Sequence, residues 1–180
     1  IAFSSFLGAF TSFATYLIGE DSFKIVAWMM GYVGSANWEK IAYISAPLVL
    51  SMAYFYFKRF ELNVILSGDE EAQSLGVDVE KMKKRLLIVS SLAVAFSVAF
   101  TGMIGFVGLI IPHTLRMLLR TSSNVVLIPI STFAGGFFLL ACDTIGKSIL
   151  SPTEVPIGVV TAFFGAPFFL FLAIRSSRSI

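Results

Sequence analysis

Charge is scarce in this chain. Only 13% of its 180 residues are charged, against roughly 25% in a soluble domain. The formal net charge of +2 is too small to argue for a nucleic-acid partner. One cysteine, Cys142, excludes an internal disulfide and says nothing about redox compartment. One histidine, His113, is poor material for a metal centre, which wants several ligands, so no resident metal is expected. The phosphate-cradling pattern G-x-x-x-x-G-K-[ST] is absent, so ATP chemistry belongs to another chain, and no cofactor is expected on this one. H-E-x-x-H and G-x-S-x-G are absent too, which removes the signatures of an intramembrane hydrolase and leaves no catalytic residue to nominate. The chain opens on Ile1 with no basic segment before its first apolar run, so no signal peptide is expected and it reads as a piece of something longer.

What the chain has instead is apolar surface: 57% hydrophobic residues, among them 19 Phe, and a mean hydropathy of +0.87. The runs are long and uniform, which favours a membrane bundle over a large soluble helical core. Spans are predicted over Ala2–Ile18, Ile41–Phe57 with Pro47 as a kink, Leu86–Met103, Val125–Ile145 and Ile157–Ile174. Glu20-Asp21 closes the first span. Phe23–Met30 is too short to cross and reads as an outer re-entrant or interfacial helix, bracketed by Trp28 and Trp38. Phe106–Leu119 is also short and carries Pro112. The predicted fold class is all-α: one polytopic membrane domain over residues 1–180, with about six transmembrane helices and a polar loop at about 61–85.

Alternating the spans sorts the basic residues. Lys58, Arg59, Lys81, Lys83, Lys84, Arg85, Arg116, Arg120, Arg175 and Arg178 fall on one side; Lys24, Lys40 and Lys147 fall on the other. Ten against three makes the first side cytoplasmic. The 61–85 loop and the C-terminus then face the cytoplasm. Asp69, Glu70 and Glu71 at the start of a helical pattern suit the positive end of a helix dipole. Leu75, Gly76 and Val77 offer a small apolar knob and a helix stop. A unit of this kind fits a groove in a partner; a plain solvated loop is the alternative.

Several stretches carry a resemblance when taken together. They are Gly68-Asp69-Glu70-Glu71-Ala72-Gln73-Ser74-Leu75-Gly76-Val77, Gly105-Phe106-Val107-Gly108-Leu109-Ile110-Ile111-Pro112-His113, Glu154-Val155-Pro156-Ile157-Gly158-Val159-Val160-Thr161 and Gly165-Ala166-Pro167-Phe168-Phe169, with Trp28-Met29-Met30-Gly31, Arg116 and Asp143. In order along the chain they resemble the FecCD/cobalamin-permease family of ABC importers for iron-siderophores, haem and cobalamin. The resemblance implies ten transmembrane helices per subunit, this chain covering the fifth to the tenth. It implies that Gly68, Asp69, Glu70, Glu71, Ala72, Gln73, Leu75 and Gly76 belong to short coupling helices that dock into an ABC ATPase subunit. It also implies a second copy of the permease, an extracytoplasmic substrate-binding protein and a location in the cytoplasmic membrane. Lys147 matches a position that meets the binding protein.

The residues add further expectations. A helix as short as Phe106–Leu119 must start inside the membrane depth or against protein, so Gly105, Phe106, Gly108 and Pro112 are candidates for the substrate path. The competing reading is that these glycines only let helices pack closely. His113 is expected to donate a packing hydrogen bond, and Arg116 and Arg120 to brace or snorkel. Asp143 and Lys147 share a helix face and are expected to pair. Glu154 is expected to cap the last helix. Together these features predict the permease of an ATP-driven importer for an iron chelate, haem or a corrinoid. An importer for transition-metal ions or oxyanions, and a non-transporting structural fragment, are the alternatives.

Overall fold

The computed structural model describes residues 2–19, 22–34, 36–150 and 153–177. Among these residues every regular element is a helix. They are α1 (Ala2–Ile18), α2 (Ser22–Met29), α3 (Trp38–Phe57), α4 (Arg59–Leu66), α5 (Asp69–Ser74), α6 (Val79–Thr101), α7 (Val107–Leu119), α8 (Asn124–Ile149) and α9 (Ile157–Ser177). Three of them, α3, α6 and α8, are long and apolar enough to cross a bilayer. The helices α1, α7 and the apolar part of α9 over Ile157–Phe171 are shorter apolar helices.

The outward faces say what surrounds the bundle. Phe133 and Phe137 on α8 and Phe163 on α9 are 79%, 74% and 79% exposed. Water would penalise such a surface heavily, at roughly 25 cal/mol per Å² of apolar area; lipid does not. One group of buried apolar residues lies where helices touch, a cluster of Cys142, Ile157 and Val160 with Val33, Ile104 and Phe138 against it. The chain is a membrane protein, and these apolar faces suit contact with lipid or with further transmembrane helices.

Helix boundaries have local causes, and several differ from the sequence reading. Asn37 caps α3 by accepting from the Lys40 N–H at 2.8 Å, and α3 runs unbroken through Pro47. Asp78 caps α6, accepting from the Lys81 N–H at 3.1 Å and pairing with the Lys81 ammonium at 2.7 Å. These Lys81 contacts hold the exposed Asp78 carboxyl below its ordinary pKa. The basic cluster Lys81–Arg85 is therefore the first turns of α6 and not a lead-in to a helix starting at Leu86. The helix also stops earlier than predicted, at Thr101, because Gly102 turns to φ +71°. Lys147 lies within α8, which continues to Ile149. Glu20-Asp21 and Arg178 lie outside the described residues.

Packing joins α3 to α6, α7 to α8 and α9, and α8 to α9, while α4 lies against α5 and α8. At one end of the bundle α2 sits on the C-terminus of α6. The Tyr32 N–H donates to the Thr101 carbonyl at 2.9 Å. A Cβ on Gly102 would run into the Trp28 carbonyl oxygen, and one on Gly158 into that of Met30. At the other end stand α4, α5, the start of α6 and the start of α8.

Candidate functional site

The polar loop folds as two short helices set on the bundle. Lys58 closes α3 and opens α4, and its ammonium meets Glu61 at 2.6 Å. Arg59 lies over the Tyr56 ring at 3.8 Å and the Phe60 ring at 4.7 Å, bracing the corner where α3 gives way to α4. Gly68 then precedes α5 with φ +129°. Asp69, Glu70 and Glu71 fill the first turn of α5, where orphan backbone N–H groups attract negative charge.

The far end of α5 closes in a Schellman motif. The Gly76 N–H donates to the Gln73 carbonyl at 2.9 Å and the Val77 N–H to the Ala72 carbonyl at 3.0 Å. Gly76 at φ +85° makes this possible, since other residues resist left-handed backbone. Beneath the loop, where α5 packs on α6, Ala72 of α5 and Val79 and Met82 of α6 are buried. The Lys83 ammonium donates to the Asp69 carboxylate and ties the same two helices at their edge.

The predicted coupling residues therefore divide. Glu70, Glu71, Gln73 and Leu75 are exposed, Leu75 at 71%. Ala72 is fully buried and holds the unit together. Asp69 is engaged with Lys83, and Gly68 and Gly76 shape the backbone. The product is a rigid acidic platform with one apolar side chain standing on it.

The four path candidates do not share one surface. Gly105 and Gly108 have open space where a Cβ would stand, so close packing within this chain does not account for them. Phe106 caps α7 with left-handed backbone, φ +67°, and its ring presses on Gly165 of α9. Pro112 instead lines a hollow of about 280 Å³ with Met52, Phe55, Arg116 and Asn124. A larger cavity, about 670 Å³, lies between α3, α6 and α8. Its wall includes Gly102, Ile104 and Val107 of the broken segment, Ser97, Leu139 and Asp143. The irregular backbone after α6 thus borders an apolar cavity, but through neighbours of the four named residues.

His113 meets the Phe168 ring edge-on at 6.2 Å, an aromatic contact between α7 and α9 where a hydrogen-bond donor was expected. Asp143 and Lys147 pair as expected, at 2.6 Å. Glu154 does not cap α9. Its carboxylate faces the Tyr32 hydroxyl, and both crowd Gly34. Burial, then the Glu154 charge and hydrogen bond, push the Tyr32 hydroxyl above its ordinary pKa. The Val159 and Val160 N–H groups in the first turn of α9 donate to the Pro156 carbonyl.

One polar contact was missed by the sequence reading. Asn63 of α4 accepts from the Asn124 N–H at 2.6 Å and donates to the Ser123 hydroxyl at 3.0 Å, sixty positions away. The only signal was a lone amide in an otherwise amphipathic stretch, Arg59–Leu66.

These features together define the class: a polytopic helical membrane protein with a broken helix at an apolar cavity and a compact polar platform at one end. The chain belongs to the FecCD transport family, whose pattern matches residues 1–175. It is 40% identical over 172 residues to the cobalamin import system permease protein BtuC of Halobacterium salinarum, covering 96% of this chain and 46% of that protein. It is 34% identical to the hemin transport system permease protein HmuU of Yersinia pestis, covering 97% of this chain and 52% of that protein. A solved structure of an inward-facing metal-chelate type ABC transporter matches with a TM-score of 0.85 at 33% identity, covering 96% of this chain and 56% of that one. The chain spans about half the length of the curated relatives it matches.

Proposed function

We propose that this chain forms the coupling half of an ABC importer permease in the cytoplasmic membrane, passing an iron chelate, haem or a corrinoid inward. ATP is hydrolysed on a separate ATPase subunit. A substrate-binding protein delivers cargo at the end where α2 meets α6, with Lys147 in its docking surface. Cargo passes between this subunit and a second copy. The basic asymmetry of the loops supports a cytoplasmic position for α4 and α5.

The single observation that carries this reading is the α5 platform. Its acidic first turn is exposed, Leu75 stands proud, and both ends are locked, by Lys83–Asp69 and by the Gly76 turn. A floppy loop would absorb the ATPase stroke. A locked one must follow it and tilt the helices to which it is fixed, as alternating access requires. The apolar cavity wall, with Asp143 as its charged member, suits a bulky chelate handed over by a carrier better than a bare ion held by carboxylates.

The test uses the assembled importer in proteoliposomes. Replacing Glu70 with Lys should abolish ATP-dependent uptake and weaken ATPase capture while the permease stays folded. Uptake unchanged in that variant, or a cysteine at position 70 labelled only from outside the cell, would overturn the reading.

A further inference from the structure

The contact at Asn63 points to a function for one residue that no motif announces. An α-helix leaves its first N–H groups without internal partners, and a serine at the N-cap ordinarily supplies one acceptor itself. Ser123 occupies the N-cap of α8, yet its side chain makes no cap bond. Its hydroxyl accepts from the Asn63 amide at 3.0 Å, and the Asn124 N–H donates to the Asn63 carbonyl oxygen at 2.6 Å. Both arms of one amide are used, and the donor–acceptor pattern fixes which way the amide faces. A local cap travels with its own helix. A cap lent by another helix ties the two together.

The consequence is mechanical. Besides its direct continuation from α3 at Lys58, the platform is joined to the bundle along two lines. One runs from α5 to α6 through Asp69–Lys83 and the buried Ala72, Val79 and Met82. The other runs from α4 to α8 through Asn63. Helix α8 has 26 residues, a rod of about 39 Å at 1.5 Å per residue. Near its other end stand the Asp143–Lys147 pair and the Val155 N–H bond to the Gly146 carbonyl, which straps the link before α9 onto α8. Asn63 thus sits at one end of a helix whose other end reaches the opposite face of the bundle.

We propose that Asn63 is the positioning residue that transmits the ATPase stroke from the coupling platform to α8. The proposal rests on the importer reading above. Asn63 is engaged by Ser123 and Asn124 and lies outside the walls of the two cavities described above, so its loss should separate hydrolysis from transport rather than stop both.

The experiment uses the assembled importer with its ATPase and binding protein in proteoliposomes, loaded with ferric siderophore, haem or cobalamin, whichever the unmodified complex takes up. In N63A the complex should assemble and hydrolyse ATP, while uptake per ATP falls roughly twofold to thirtyfold, the span typical of altered coupling between sites. N63D keeps the acceptor for the Asn124 N–H and lets the Ser123 hydroxyl turn to donate, so it should retain most of the coupling. A second arm does not depend on N63A folding. In N63C/S123C the reduced protein lacks the amide and should be uncoupled, and a short thiol cross-linker that rejoins the two positions should restore uptake per ATP. Spin labels at Q73C and S148C should report a nucleotide-dependent distance change that shrinks in N63A. Uptake per ATP equal to the unmodified complex in N63A, or no difference between reduced and cross-linked N63C/S123C, would overturn the proposal. An unmodified complex that neither captures the ATPase nor imports cargo would sink the importer reading instead.

Discussion

Asp69 and Lys83 stand fourteen positions apart in the chain, and the Lys83 ammonium donates to the Asp69 carboxylate across the α5–α6 corner. Both side chains are about half exposed, so the pair itself adds little to global stability, at most about 1 kcal/mol. Its effect is on shape, and it separates Asp69 from the two acids beside it. D69N should weaken ATPase capture much less than E70Q or E71Q. The loss in the latter two should shrink as salt is raised, since exposed charges are screened over about 10 Å at 0.1 M. Binding of each variant to the ATPase at two ionic strengths checks this.

Gly76 holds α5 closed at φ +85°. G76A forces a Cβ into left-handed backbone at a cost of about 1–2 kcal/mol, although the surrounding space is open. The expected outcome is local opening: faster amide exchange over Ala72–Val77 with the membrane helices still protected. L75A, by contrast, should leave exchange unchanged and reduce only ATPase capture, because Leu75 is 71% exposed.

The two ends of the broken segment should respond in opposite ways. G102A drives a Cβ into the Trp28 carbonyl oxygen at a backbone φ of +71°, so neither relaxation of a side chain nor a small shift relieves it. The variant should fail to assemble in the membrane. In G105A and G108A the added methyl meets nothing within this chain, and Ala is the better helix former at position 108 by up to about 1 kcal/mol. Both should keep their thermal stability. A transport defect in either would then place position 105 or 108 against cargo or the second copy. Melting in detergent and uptake in vesicles, measured on the same preparation, separate the outcomes.

How much of this was legible follows from which forces act locally. The apolar runs gave α1, α3, α8 and α9 to within a few residues, because lipid demands length and uniformity of any span. The Gly76 stop and the acidic first turn of α5 were readable because both follow from backbone geometry within one turn. The start of α6 was misjudged because its first turns carry the charged cluster Lys81–Arg85, and charge reads as loop until the Asp78 cap is seen. Glu154 was assigned to α9 by proximity in sequence, whereas Tyr32 reaches it through space. Asn63 could not be found at all. Its partners lie sixty positions on, and nothing in a single amide says which helix it caps.

The pairing of Asp143 with Lys147 bears on how a binding protein would dock. Lys147 is 44% exposed on its side chain but spends its charge on Asp143 at 2.6 Å, with Glu154 also close enough to act on it. An incoming carboxylate must share or displace Asp143 to reach it. D143N removes the competitor and keeps the shape, so affinity for the binding protein should rise, whereas K147A should lower it. Each change should be modest, a few-fold or about 1 kcal/mol, since lysine offers a point charge and not a bidentate fork. Asp143 also lines the large cavity, so D143N is best read by equilibrium binding to the detergent-solubilised importer, apart from uptake. Unchanged affinity in both variants would remove Lys147 from the docking surface and leave the pair as a clasp at the end of α8.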